Sequence, residues 1–171
     1  MKPSALLSIS ASLLFVGCSG SGLSNKIHTL NVSASSTKPT TVLAPAKETE
    51  FAAAAERETA FVEQAVRTST LDSIGQFQRF QRGSDNGADA TVVFDAIRHG
   101  VTRVGEGLYA PTVEADIRVV GPDNKQLLRR TGSATSGELH PLDTFVKNPA
   151  LYHEALRIAS QKLALELTSA L

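Results

Sequence analysis

Residues 112–136 read TVEADIRVVGPDNKQLLRRTGSATS, and this stretch decides the fold. Polar and apolar residues alternate from Thr112 to Val120, with Val113, Ala115, Ile117 and Val119 on one face and Glu114, Asp116 and Arg118 on the other. A period of two is typical of a half-buried strand. Residues 121–124 (GPDN) have the composition of a tight turn, and Lys125 to Ser136 return as a partner strand. The stretch predicts a β-hairpin with one face in the core.

Strands are also predicted on the N-terminal side of this hairpin. A first strand is expected from Lys26 to Ala34, followed by a loop over residues 35–45 that is rich in Ser, Thr and Pro. A short strand is expected at residues 76–82 (QFQRFQR), where Phe77 and Phe80 are the apolar residues. After a turn at residues 83–87, the stretch from Asp89 to Val104 contains a strong strand (ATVVFDAI), with a break expected at Gly100 and a continuation through Val101 and Val104 left open.

Two helices complete the pattern. The first is predicted over Thr49–Ile74, because apolar residues recur there at spacings of three and four: Phe51, Ala54, Ala55, Phe61, Val62, Ala65, Val66 and Leu71. The last helix is predicted to start with Asn148 as N-cap and Pro149 at its first position. Its apolar stripe comprises Tyr152, Leu156, Ala159, Leu163 and Leu167. The order β-α-β-β-β-β-α predicts an α+β domain: one antiparallel or mixed sheet of about five strands, with two helices packed on one face.

The N-terminus has the features of an export signal. Lys2 supplies a positive charge, and residues 5–16 (ALLSISASLLFV) form an apolar stretch too short to cross a bilayer. The residues 15–18 (FVGC) then resemble a lipobox, the site at which lipoprotein signal peptidase cleaves between Gly17 and Cys18. Phe15 stands where Leu is usual. We therefore expect Cys18 to become the acylated first residue of the mature protein.

The alternative is an ordinary signal peptide followed by an incidental cysteine. Cys18 is the only cysteine of the chain, so it has no partner for an internal disulfide. Acylation with a diacylglyceryl group and a further acyl chain such as palmitate explains a lone exported cysteine. Several chains on one cysteine would make the anchor effectively permanent, whereas a single chain binds a bilayer only marginally.

Ser19 follows the cysteine. In Gram-negative bacteria an Asp at this position retains a lipoprotein at the inner membrane, so Ser19 favours the outer membrane with the domain in the periplasm. We divide the chain into a lipoprotein signal peptide (1–17), a lipidated N-terminus with a flexible Gly/Ser tether (18–26), and a single periplasmic α+β domain (27–171).

Composition restricts the partners. Seventeen basic and seventeen acidic residues cancel, which offers no support for nucleic-acid binding or for binding to an anionic membrane surface. We therefore expect as partners the membrane, through the acylated Cys18, and other proteins of the cell envelope, but no nucleic acid. The sequence leaves homo-oligomer formation open.

One motif points to catalysis. Residues 98–102 (RHGVT) follow a strand and resemble the histidine phosphatase signature, in which His99 would be the nucleophile and Arg98 and Arg103 would bind phosphate. Only about 70 residues follow, fewer than that family needs, and neither His140 nor His153 lies in the context of its second catalytic histidine. The other interpretation is a strand that ends in exposed polar residues, and we favour it.

No other catalytic or metal-binding pattern is present in the sequence. The four histidines (His28, His99, His140 and His153) are scattered and have no cysteine partners for zinc. Glu114 and Asp116, beside Arg118, read as a solvated surface with balanced charge, more than as an acid/base pair. We expect no enzyme activity, no metal and no cofactor.

Three stretches resemble a known family: ADATVVFDAIRHGVTRVGEG, the hairpin TVEADIRVVGPDNKQLLRRTGSATSG, and NPALYHEALRIASQKLALEL. Together they are similar to the YajG-like family of small Gram-negative outer-membrane lipoproteins over residues 88–170, and more loosely from residue 49. More distantly, Ile74-Gly75-Gln76-Phe77 resembles a motif of envelope-assembly lipoproteins. The resemblance implies a domain that binds other proteins.

The sequence therefore favours a non-catalytic lipoprotein that acts as a protein-binding scaffold or accessory subunit of a cell-envelope complex. A lipid- or solute-handling accessory lipoprotein of a transport system is the alternative, and it predicts a sizeable apolar cavity between sheet and helices. A phosphatase acting through Arg98-His99-Gly100 is the remote alternative.

Overall fold

The structure, a computed structural model, describes Leu23 and residues 26–45, 48–76, 80–83 and 87–171. The predicted signal peptide, the cleavage site at Gly17 and Cys18, and Phe77 lie outside the described residues, so the expectations for them stay predictions.

Within the described residues, six strands and four helices form one α+β unit. The strands are β1 (Thr29–Val32), β2 (Thr41–Leu43), β3 (Gln81–Arg82), β4 (Ala90–Gly105), β5 (Leu108–Val120) and β6 (Gln126–Thr135). The helices are α1 (Thr49–Glu56), α2 (Thr59–Gln76), α3 (Leu142–Lys147) and α4 (Pro149–Ser169). The predicted fold class is confirmed, although the sheet has one strand more than expected and each predicted helix is accompanied by a short one.

The sheet is mixed, with the order β3-β1-β4-β5-β6. β4 runs parallel to β1 along its first residues and parallel to β2 further along, on the same side. β4, β5 and β6 are antiparallel neighbours. The long strand β4 therefore joins a parallel half of the sheet to an antiparallel half.

The β5–β6 hairpin is present as predicted from residues 112–136. The inward face is buried at Val113, Ala115, Ile117 and Val119. Asn124 has a φ of 60° in the turn, a backbone conformation that Asn tolerates better than most residues. Period-two patterning and a local turn sufficed to predict both strands.

The predicted break at Gly100 is wrong, because β4 continues to Gly105. Gly100 has a φ of 156°, and a Cβ atom built on it would lie 1.9 Å from the carbonyl oxygen of Leu43. The glycine therefore allows β2 to approach β4 closely. β2 itself lies in the stretch predicted as loop, because three residues give no measurable periodicity.

The single helix predicted over residues 49–74 is divided in two. The break is at Arg57 and Glu58, where the N–H of Glu58 bonds the carbonyl of Ala55 at 2.9 Å and the carbonyl of Glu58 accepts from Val62 at 2.9 Å. α1 contacts β2 and α3, whereas α2 contacts α4. Different tertiary partners thus require the two helices to diverge. The short helix α3, in the predicted polar loop, was also missed.

α4 begins as predicted. The side chain of Asn148 accepts a hydrogen bond from the N–H of Leu151 at 3.2 Å, and Pro149 is the first helical residue. The whole predicted stripe is buried: Tyr152, Leu156, Ala159, Leu163 and Leu167. α2 and α4 pack against each other on the inward face of the sheet, and their side chains form one continuous core with it.

Leu23 belongs to this core, although it falls within the predicted tether. It is 5% exposed, and its N–H donates to the carbonyl of Leu171 at 2.9 Å. The chain is therefore attached to the C-terminal end of α4 five residues after Cys18.

Candidate functional site

A cluster of buried aromatic rings lies where α1 meets α3 and the start of α4. The ring centroids of Phe51 and Tyr152 are 5.4 Å apart at an interplanar angle of 71°, and those of Phe145 and Tyr152 are 5.7 Å apart at 52°. Edge-on and tilted geometries of this kind are favourable for aromatic pairs. Each of the two short helices supplies one phenylalanine, and α4 supplies the tyrosine between them.

A groove of about 300 Å³ opens above these rings. Ala53 and Ala54 form its α1 wall, Arg57 and Glu58 stand at the α1–α2 junction, and Phe145 and Tyr152 line it from α3 and α4. Small side chains on α1 leave the space, and the break between α1 and α2 keeps it open. The groove is lined by apolar groups with a few polar ones, as binding sites usually are.

Tyr152 is unusual among the residues that line this groove, because its hydroxyl is buried without a partner in the described part of the chain. The residue is 2% exposed, and the hydroxyl has no hydrogen-bond partner among the described residues. Burial, and then the negative charge of Glu58, raise the pKa of Tyr152, so the phenol stays protonated and can donate. A buried donor without an acceptor costs free energy.

The rim of the groove is held by a contact between α4 and the helix junction. The Nδ1 atom of His153 lies 2.7 Å from Oε2 of Glu58, and the imidazole stacks on Phe61 with centroids 3.8 Å apart. Because Glu58 sits at the break between α1 and α2, this contact fixes the position of α1 relative to α4.

His99 lies beneath the same junction. It is fully buried on the inward face of β4, with Nε2 3.1 Å from the hydroxyl of Thr59 and with Nδ1 unpartnered among the described residues. Burial lowers the pKa of His99 to about 4. The preferred interpretation of residues 98–102, a strand ending in exposed polar residues, is wrong for this residue, because β4 continues and the helices cover it.

The residues of the phosphatase-like motif are not brought together. Arg98 points to the opposite face of β4 from His99 and bonds two carboxylates, Glu114 at 3.1 Å and Asp116 at 2.9 Å. Arg103 bonds the carbonyl of Gly105 at 3.2 Å in the hairpin. A phosphate could not contact His99 and Arg98 together, because successive strand residues face opposite sides of a sheet.

The predicted charge-balanced surface is present on the outward face of the sheet. Arg98 joins Glu114 to Asp116, and Arg118 bonds Asp95 at 2.8 Å. These groups are half-buried. Hydrogen bonding from Arg98 is the main cause that holds the pKa of Asp116 below its usual value.

The other histidines are apart from one another. His140 forms an isolated bridge with Tyr109, and the backbone N–H of His28 bonds Asp89 at 2.8 Å. Within the described ranges, no three His, Cys, Asp or Glu residues come together as a metal site would require.

Sequence reasoning placed Tyr152 in an apolar stripe without assigning it a role. It is the one member of that stripe with a polar side-chain atom, which is the signal that could have identified it. The groove itself depends on α3 and on the break after α1, and neither was predicted.

No family model and no curated protein matches the chain. Among solved structures, the fold is similar to a minor lipoprotein from Acinetobacter baumannii, at 13% identity over 84% of this chain and 91% of that one, with a TM-score of 0.49. It is also similar to a DUF330 protein from Xanthomonas campestris, at 13% identity over 82% of this chain and 81% of that one, with a TM-score of 0.48. A PelC dodecamer from Paraburkholderia phytofirmans is similar at 14% identity over 90% of this chain and 94% of that one, with a TM-score of 0.45. These likenesses concern the course of the chain and not its function. None of the helices in the described part of the chain is long and apolar enough to span a membrane.

Proposed function

We propose that the chain is a non-catalytic lipoprotein, anchored to the outer membrane through acylated Cys18, whose periplasmic domain binds other envelope proteins as a scaffold or accessory subunit. The lipobox-like residues 15–18 and Ser19 motivate the anchor and its membrane. The groove between α1, α3 and α4 motivates the binding role.

The position of Leu23 is the observation that carries this proposal. Leu23 is the fifth residue after Cys18, and an extended chain over that distance spans about 18 Å at most. Because Leu23 is bound to Leu171, the C-terminal end of α4 would be held close to the membrane surface.

The groove lies at the other end of the same helix. Tyr152 precedes Leu171 by 19 residues, which corresponds to about 28 Å along a helix. The groove would therefore face the periplasm, where a partner protein can reach it. An apolar side chain of the partner would fill the groove and pack against the rings of Phe145 and Tyr152.

Two features support a non-catalytic role. The one motif with catalytic character divides between two faces of the sheet, and its histidine is covered by α2. The transport alternative gains no support, because the described side chains fill the space between the sheet and α2 and α4 with one continuous core.

Membrane attachment is tested with Cys18→Ser in a Gram-negative host. We expect the wild-type protein to fractionate with the outer membrane and to partition into detergent, and the variant, which loses both the acylation site and the cleavage site, to be missing from the outer-membrane fraction. A variant that remains in the outer-membrane fraction would contradict the anchor.

Partner binding is tested with Ala53→Trp, which fills the groove from an exposed helix position, against Ala60→Trp at an exposed position of α2 away from the groove. Each is used as bait in mildly solubilised envelopes. We expect a defined partner to be retained by wild type and Ala60→Trp and lost by Ala53→Trp. No specific partner, or equal capture by both variants, would contradict the proposal.

A further inference from the structure

β6 is a long strand at the edge of the sheet. The strand order ends at β6, and within the described part of the chain nothing pairs with its outer side. β6 has ten residues, whereas β3 at the opposite edge has two. An uncovered edge of this length offers a row of backbone groups to which another strand can pair.

One hydrogen bond identifies which backbone N–H and C=O groups of β6 point away from β5. Ser136, just after β6, donates its N–H to the carbonyl of Pro111 in β5 at 3.0 Å. Because residues of an antiparallel pair alternate between facing the partner strand and facing away, the N–H and C=O groups of Arg129, Thr131 and Ser133 point away from β5. All three residues are exposed.

The edge is occupied only at its C-terminal end. There, Nζ of Lys162 bonds the carbonyls of Thr135 at 3.3 Å and of Ser136 at 2.8 Å. The three outward residues before it make no backbone hydrogen bond to a described residue outside β6. Because every second residue of a strand pairs with the same neighbour, Arg129, Thr131 and Ser133 can pair with a segment of about six residues.

The charge of this edge is positive. β6 contains Arg129 and Arg130 and no carboxylate, and Lys162 adds a further positive charge at its end. Arg129 lies opposite Arg118 in the sheet, and Arg118 is already paired with Asp95. Arg129 acts on Asp116 from a distance but makes no ion pair within 4 Å of a described residue, so its guanidinium can still pair with a carboxylate on a neighbouring strand.

We propose that the free edge of β6 is the docking site for an extended, acidic segment of another envelope protein, which adds to the sheet as a seventh strand. The backbone of Arg129, Thr131 and Ser133 supplies the pairing, and the arginines select carboxylates on the incoming segment. This inference rests on the proposed protein-binding function and names the chemistry of one partner.

A second copy of this chain is a poor occupant of the same edge. Pairing β6 with β6 of another copy would bring four arginines together without one carboxylate from these strands. Like charges on neighbouring strands are unfavourable. The other edge, β3, consists of Gln81 and Arg82 and offers no acidic strand either.

A photo-crosslinking residue at Ser133 of the full-length, membrane-bound protein tests this inference, with a second probe at Ala53 in the groove. We expect Ser133 to crosslink an acidic segment of a different protein, identified by sequencing the crosslinked peptide. Arg129→Glu should lower that yield by up to about fivefold, the largest effect expected from losing one exposed ion pair. Lys38→Glu, a matched charge reversal at an exposed loop residue, should leave the yield unchanged.

Ser133→Pro supplies a second variant, because it removes an outward N–H without breaking a bond to β5, and it should abolish the crosslink formed by a probe at Thr131. The inference would be overturned by a crosslink to another copy of this chain or to a segment without an excess of acidic residues. An undiminished crosslinking yield in Arg129→Glu would also overturn it. Capture from Ala53 alone would overturn it while leaving the proposed function intact. The absence of a crosslink at both Ser133 and Ala53 would count against this inference and against the proposed function.

Discussion

Gly100 lies so close to Leu43 that a Cβ atom on the glycine would meet the Leu43 carbonyl oxygen at 1.9 Å and its carbon at 2.7 Å. These atoms belong to the backbone of β2 and cannot move aside as a side chain could. The contact holds β2 against the middle of β4, beside the residues that lie under α1 and α2.

Gly100→Ala should therefore destabilise the fold by at least about 2 kcal/mol, through the clash and through a φ unfavourable to alanine. Gly105→Ala is the matched control, because no atom lies within 4 Å of its Cβ position. Urea unfolding of both variants checks this prediction, and equal midpoints would contradict it.

His99 should make the stability of the protein depend on pH. Its pKa falls from 6.5 to about 4 on folding, so the unfolded chain binds the proton first and stability is lost as the pH drops from 6.5 towards 4. Between pH 7 and pH 5 we expect a loss of about 2 kcal/mol from this group. His99→Leu should remove that component of the slope.

Thr59→Val is the control for this experiment. It deletes the hydrogen bond to Nε2 but keeps the imidazole buried, and burial is the cause of the lowered pKa. The pH slope should therefore persist. A His99→Leu protein with the slope of the wild type would refute the assignment to His99.

Arg98→Met should cost about 1–2 kcal/mol at neutral pH, because Arg98 bonds Glu114 and Asp116 in a half-buried position. The pKa of Asp116 is lowered in the fold, so this stabilisation is present above pH 3.8 and is lost as the pH falls below it. Lys147→Met removes an exposed ion pair with Asp143 and should have no measurable effect. Unfolding curves at pH 7 and pH 3 distinguish the two variants.

Leu23→Ala should destabilise the domain by about 2 kcal/mol, since it deletes a buried side chain from the core. Leu165→Ala on α4, where the leucine is 44% exposed, should change stability little. Equal effects of the two substitutions on the unfolding midpoint would show that Leu23 does not contribute to the fold.

The β5–β6 hairpin and α4 could be predicted because their signals are local. Alternation places Val113 and Ile117 on one face regardless of what covers them, and Asn148 with Pro149 starts a helix within one turn. The same reasoning failed where tertiary contacts decide. β2 exists because Gly100 admits it, and α1 separates from α2 because the two helices pack against different partners.

The lipobox-like residues around Cys18 and the α+β pattern are determined by the sequence alone, because a short linear motif and a hydrophobic period are complete within a few neighbouring residues. The groove beside Tyr152, the burial of His99 and the attachment of Leu23 to Leu171 were decided only by the tertiary structure. Each of these features depends on residues that are far apart in the chain. The packing of helices on the sheet brings those residues together, and no local sequence pattern predicts that packing.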